Sequence, residues 1–274
     1  IIFDEHQQTV IDSIRTHNGN ISISASAGVG KTTVILECLK HIPKFKKTIF
    51  LSFSNAIVKT LKERVPIGVE ASTLHSLGMR MIQRYHHSEL DENKYFKKAI
   101  RLIEGDKTKE KFVDCYRIQD ICNFLRLTQP PLTLEDVVVM CNHYNLDYTD
   151  NLILQAINLV KNDSLNGKID YADMIYLPVK MKLIQPHYDY VFVDEIQDSN
   201  NCQLRFIEAL LKPTGRLISI GDFFQTVYGF NGSSTSVFEE VQNKPNTLKL
   251  TMPVSYRCAT NIVKKASEVC DLIK

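Results

Sequence analysis

No segment of this chain approaches the run of about 18 apolar residues that a membrane-spanning helix needs, so nothing in it reads as a membrane span. No C-x-x-C pair occurs among its seven cysteines (Cys38, Cys115, Cys122, Cys141, Cys202, Cys258 and Cys270). An iron–sulfur cluster therefore has no ligand spacing to rest on. The odd, scattered set reads as free thiols in a reducing compartment, cytoplasmic or nuclear. Strong charge is missing too: 33 Lys and Arg against 31 Asp and Glu leave a formal net charge of +2. That balance does not announce a nucleic-acid binder, nor does it exclude one whose contacts sit in a local groove. Internal repeats, low-complexity runs and a visible signal peptide are likewise absent. What is present is 274 residues with 44% hydrophobic content, enough for one large or two small cored domains.

The first informative segment runs Ala25-Ser26-Ala27-Gly28-Val29-Gly30-Lys31-Thr32-Thr33. Ile21 to Ser24 alternates like a strand end, and Thr32 to Lys40 has the apolar spacing of a helix. Small residues between strand and helix let backbone N–H groups approach phosphates, and the helix N-terminus favours negative charge. Ala27, Gly28, Val29, Gly30 and Thr33 would form that cradle. Lys31 would reach the β- and γ-phosphates, and the Thr32 hydroxyl would ligate Mg²⁺. The strict G-x-x-x-x-G-K-[ST] pattern is not met, because Ala25 stands where its first glycine belongs.

Far downstream, Tyr190-Val191-Phe192-Val193 reads as a buried parallel strand that delivers Asp194 and Glu195 to its C-terminal end. Asp194 suits Mg²⁺, directly or through water, and Glu195 suits polarisation of an attacking water. A third strand, Leu217 to Ile220, leads into Gly221-Asp222-Phe223-Phe224-Gln225-Thr226-Val227-Tyr228-Gly229-Phe230. Gln225 offers a neutral amide to a γ-phosphate, and Phe230 a ring on which a base can stack. Core packing is the competing reading for Phe230 and Tyr228.

These residues resemble the N-terminal part of the superfamily 1A DNA helicases of the UvrD/Rep/PcrA type. Phe3-Asp4-Glu5-His6-Gln7 resembles the adenine-reading Q motif, with Gln7 as reader and Gln8 as the register alternative. ASAGVGKTT resembles the phosphate loop, FLSFSN (50–55) motif Ia, and STLHS (72–76) motif Ib. DEIQD (194–198) resembles motif II, GDFFQTVYGFNG (221–232) motif III, and VSYR (254–257) motif IV. The resemblance implies ATP and Mg²⁺ as cofactors, with Lys31, Glu195, Gln225 and Arg257 catalytic, Thr32 and Asp194 on the metal, and Tyr256 stacked near the adenine. It implies Phe53, Thr73, His75 and Phe230 along a single-stranded DNA track, 3′→5′ movement, and contact with a single-strand/duplex junction. The chain has no tryptophan, and Phe230 stands where many members carry one. Ser255 replaces a usual asparagine. Outside its T-x-H-S context, His75 would read as a structural histidine.

The same resemblance sets the expected architecture: a RecA-like P-loop α/β domain with a parallel sheet, residues 1–83 and 169–246, interrupted by an all-helical insertion, residues 84–168. Helices are expected over Lys109 to Leu127, with Phe112, Tyr116, Ile121, Phe124 and Leu125 on one side, after the Thr133 cap to about Asn142, and over Asp150 to Asn162. No strand is expected between about Gln83 and Lys168. Residues 247–274 are expected to begin a second RecA-like domain, with Thr247 to Leu250 its first strand, so that the chain reads as a fragment without motifs V and VI. Two rivals follow. One is a module that binds ATP and single-stranded DNA without translocating. The other is a P-loop switch that does not act on DNA, for which Phe53, His75 and Phe230 would be buried.

Overall fold

The period-2 alternation of short apolar strands decides which face each side chain takes. In β2 (Thr48–Leu51) Ile49 and Leu51 face one side and Phe50 the other. In β6 (Tyr188–Val193) Val191 and Val193 oppose Phe192 in the same way. All six residues are buried, so both faces of the sheet are covered. This is the arrangement parallel strands require. In this computed structural model, which describes residues 2–103, 108–222, 225, 235–257, 259, 261, 264–265 and 268, a six-stranded sheet has the order β3-β2-β6-β7-β1-β8, with its neighbouring strands parallel throughout. Its other strands are β1 (Asn20–Ala25), β3 (Val69–Ser72), β7 (Leu211–Gly221) and β8 (Thr247–Met252).

Thr247 to Leu250, expected as the first strand of a second domain, joins this same sheet: β8 pairs along its whole length with β1, from Asn20↔Thr247 to Ala25↔Met252. Helices α1 (Glu5–Thr16), α2 (Lys31–Lys40) and α3 (Asn55–Lys62) cover one face. On the other lie α4 (Leu74–Tyr85), α9 (Asp173–Lys180) and α10 (Asn201–Leu210). Gly78 lets α4 meet α9: a Cβ there would sit 1.8 Å from the Met174 carbonyl oxygen.

Between α4 and α9 the chain leaves through β4 (Glu89–Leu90) and returns through β5 (Lys168–Ile169), which pair in parallel. This two-residue ladder lies partly within the stretch expected to hold no strand. It is too short to leave a period in the sequence. The excursion carries α5 (Lys94–Leu102), α6 (Lys109–Thr128), α7 (Leu134–His143) and α8 (Asp150–Lys161). Their buried residues belong to the same apolar cluster as the sheet face above α9 and α10. The inward side of α6 is Cys115, Ile118, Cys122 and Leu125. Phe112 and Tyr116, expected to share it, are exposed and pack on the Phe96 ring. Thr133 caps α7, its hydroxyl accepting from the Asp136 N–H at 3.2 Å.

A buried ionic cluster fastens this helical unit to the returning chain. Lys94 bonds Asp163 at 2.8 Å and Asp173 at 2.6 Å. Arg126, 1% exposed, bonds Asp170 at 2.6 Å and Asp173 at 2.8 Å and lies 4.2 Å over the Tyr95 ring. Tyr95 donates to Asp163 at 2.7 Å. Charges this deep persist only when paired and hydrogen-bonded.

Candidate nucleotide and nucleic-acid site

The phosphate loop joins β1 to α2 through two left-handed glycines, Gly28 (φ 76°) and Gly30 (φ 79°). Gly30 is the N-cap of α2 and brings no side chain to it, which leaves the first N–H groups of the helix for a ligand. Two other segments close on this loop. The Ser255 hydroxyl donates to the Ala27 carbonyl at 2.8 Å, and the Tyr256 N–H to the Gly28 carbonyl at 3.0 Å. From the other side, Gln7 donates through Nε2 to the Val29 carbonyl at 3.0 Å. Its Oε1 accepts from the Asp4 N–H at 3.1 Å in a capping box that starts α1. The Tyr256 hydroxyl then bonds Asp4, so the first helix, the loop and the 255–257 segment form one unit.

Gln7 is thus the glutamine held at the loop, while Gln8 turns outward to Asp12 at 3.1 Å. Both ends of the Gln7 amide are engaged with backbone here, so it braces Val29 against the start of α1. Arg257 and Gln225 are exposed. Gly28 packs against Arg257: a Cβ there would come within 2.5 Å of the arginine's own Cβ.

Across the sheet, β7 lies between β1 and β6, so the three C-terminal strand ends are neighbours. Lys31 and Glu195 meet there, Nζ to Oε2 at 2.8 Å. Glu195 adopts φ 51°, a left-handed conformation unusual for a residue with a side chain, and it re-aims the chain into a 3₁₀ turn, Ile196–Asp198. Asp194 is buried, with the Glu195 N–H 3.1 Å from its Oδ1. Burial first, and then the charge of Glu195, push its carboxyl up to about 6, partly offset by Lys31. Asp198 is pushed up to about 6 by the same two causes in the same order.

On the other side of Glu195 opens a cavity of about 530 Å³. Glu195 and Asp198 lie in its wall with Phe53, His75, Tyr171 and, from α6, Asn123. Phe53 is 37% exposed. The His75 ring stands edge-on to Tyr171 with centroids 6.4 Å apart, and burial lowers its pKa. Thr73, expected along the nucleic-acid track, also serves the fold. It is buried and caps α4, accepting from the Ser76 N–H at 3.2 Å and donating to the Ser76 hydroxyl at 2.8 Å, so it positions His75 from behind. Phe230 and Tyr228 lie outside the described residues.

A family model described as the UvrD/REP helicase N-terminal domain matches residues 4–246. This chain belongs to that family. The chain is 25% identical over 292 residues to the ATP-dependent DNA helicase PcrA of Staphylococcus epidermidis, covering 94% of this chain and 39% of that protein. To the PcrA of Bacillus subtilis it is 25% identical over 289 residues, covering 94% and 38%. To the ATP-dependent DNA helicase Rep of Buchnera aphidicola it is 26% identical over 299 residues, covering 97% and 42%. The chain therefore spans about two-fifths of the length of these relatives, 39% of the first.

In this UvrD/REP-family chain, the structure brings the expected residues Lys31, Asp194 and Glu195 together and sets beside them three residues that the sequence did not single out. Gln197, 2% exposed, donates to Glu195 Oε2 at 2.9 Å and was visible only as a letter of DEIQD. Tyr171 brings its ring from the segment between β5 and α9. Asn123 sits mid-helix with no signal of its own. Among the described residues, no helix is long and apolar enough to cross a membrane.

Proposed function

We propose that this chain is the nucleotide-binding portion of an ATP-dependent DNA helicase, in which ATP hydrolysis is coupled to movement along single-stranded DNA. The supporting observation is the double position of Glu195. One side of it is bonded to Lys31 of the phosphate loop, and the other lines the cavity that holds Phe53 and His75. A group in that position feels both ligands. Because Phe53 is exposed, the switch that ignores DNA is the weaker reading.

The residues divide the work by chemistry. Arriving ATP draws Lys31 from Glu195 to the phosphates, as the higher local negative charge dictates. Glu195, freed of that cation, orients the attacking water and accepts its proton. Gln225 contacts the γ-phosphate, and Arg257 answers the charge that develops on it. Gln7 and Tyr256 flank the adenine. Thr32 and Asp194 offer the hard oxygen donors that suit Mg²⁺, and a cation would relieve the burial that raises the Asp194 carboxyl. Bound there, Mg²⁺ would supply charge neutralisation on the phosphates. Phe53, His75 and Phe230 would carry the strand, with 3′→5′ direction following from the family resemblance alone. A DNA substrate and the buried free thiols of Cys38, Cys115, Cys122, Cys141 and Cys202 suit a reducing cytoplasm or nucleus.

The test is ATP hydrolysis with and without oligothymidine, with Lys31→Ala as the blank. Stimulation by the oligonucleotide that disappears in the variant supports a DNA-coupled ATPase. Binding of both ligands without turnover would restrict this chain to the binding module. Absence of any oligonucleotide binding would overturn the DNA assignment.

A further inference from the structure

We propose that Gln197 is the positioning residue that links the two sides of this site, holding Glu195 when Lys31 leaves it and tying it to Asp222, directly after β7. The inference rests on the reading of the site given above and adds to it the residue that transmits.

Its amide is used at both ends. Nε2 donates to Glu195 Oε2 at 2.9 Å, and Oε1 accepts the Asp222 N–H at 3.0 Å. Asp222 is the first residue after β7, on the segment that continues to Gln225. Lys31 and Gln197 both donate to the same oxygen, Oε2, so Oε1 of Glu195 is left to face a ligand. When Lys31 moves to phosphate, Gln197 is the remaining side-chain donor on that carboxylate among the described residues. A carboxylate held by one neutral amide keeps its orientation without losing its basicity to a cation.

The backbone around Gln197 is shaped to this end. A Cβ on Gly221 would lie 2.3 Å from Gln197 Oε1, so the strand end reserves its space for the amide. Gln197 is fully enclosed and cannot swing to solvent when one partner is lost. Movement of the Asp222 peptide must therefore move the amide, and the amide moves Glu195. The wall of the cavity beside Phe53 contains that same Glu195, together with Asp198 at the end of the turn that carries Gln197. A strand entering the cavity thus presses on the element that aims the carboxylate.

The experiment is an equilibrium one and needs no turnover. The Kd of a non-hydrolysable ATP analogue is measured with and without saturating oligothymidine, in the wild-type chain, in Gln197→Leu and in Gly221→Ala. Leucine keeps most of the volume and removes both hydrogen bonds. The Gly221 variant displaces the amide with Gln197 intact, and circular dichroism establishes that each protein is folded. In the wild type the oligonucleotide changes the Kd by about fivefold or more, the usual range of linked sites. In both variants that ratio falls to within about twofold of unity, while each ligand alone binds within about threefold of wild type. A wild-type ratio retained in either folded variant would overturn the proposal, as would a wild-type chain that binds both ligands independently. A wild-type chain that binds neither fails the functional reading first, and this inference falls with it.

Discussion

Asp163 and Asp198 are carboxylates moved in opposite directions. Burial works against the charge of Asp163, yet Lys94 and the hydrogen bonds from Lys94, Lys98 and Tyr95 outweigh it and hold the group down to about 2. Its folded pKa lies below the unfolded value, so its contribution is present above about pH 4 and is lost as pH falls through about 2. Asp163→Asn leaves two lysines short of a carboxylate and is expected to cost about 3–5 kcal/mol at pH 7 in urea unfolding. The gap between variant and wild type should narrow on acidification toward pH 2. A gap that does not depend on pH would contradict the assignment. Asp198 has the reverse sign. Its folded pKa, about 6, lies above the unfolded one, so the folded chain binds this proton more tightly and the benefit is lost as pH rises through about 6. Its Oδ1 is buried without a hydrogen-bond partner among the described residues. Asp198→Asn is therefore expected to raise Tm more at pH 8 than at pH 5. An equal gain at both values would count against it.

At the scale of elements, the contact of α4 with α9 depends on one missing methyl group. Gly78→Ala forces a Cβ toward the Met174 backbone, which cannot give as a side chain would, and a loss of about 1–3 kcal/mol or more is expected from thermal unfolding. An unchanged Tm would show that the two helices separate freely. The starts of α7 and α8 were legible, because Thr133 marks the first chemically and an apolar period opens the second at Asp150. The strand ends that carry Lys31 and Glu195 were legible from apolar runs beside glycines and carboxylates. The inward side of α6 was not, since its two aromatic residues pack outward on Phe96 and its arginine packs inward. A sequence shows Arg126 as a surface cation, and only the approach of Asp170 and Asp173 in space makes its burial affordable. The place of Thr247 to Leu250 in this sheet was not legible for a related reason. A lone strand carries no record of its partner, and β1 claims this one.

Over the whole molecule, the two sheet faces have unequal tasks. One is covered by the helices around the phosphate loop, and the other continues without a break into the helical unit. The chain could be read as a nucleotide-binding fold because its motifs put rare residue types at strand ends, where few others fit. The proposed route between nucleotide and nucleic acid left no mark in the sequence, since Gln197, Tyr171 and the cavity wall come together from distant segments. Everything proposed for that route depends on Lys31 serving phosphate when ATP is present. The most direct test is the affinity of the chain for an ATP analogue before and after Lys31→Ala, with circular dichroism to establish an unchanged fold. The expected result is a loss of affinity of about tenfold or more, as removal of a charged donor to phosphate implies. Equal binding by the folded variant would place the nucleotide elsewhere and contradict the site described.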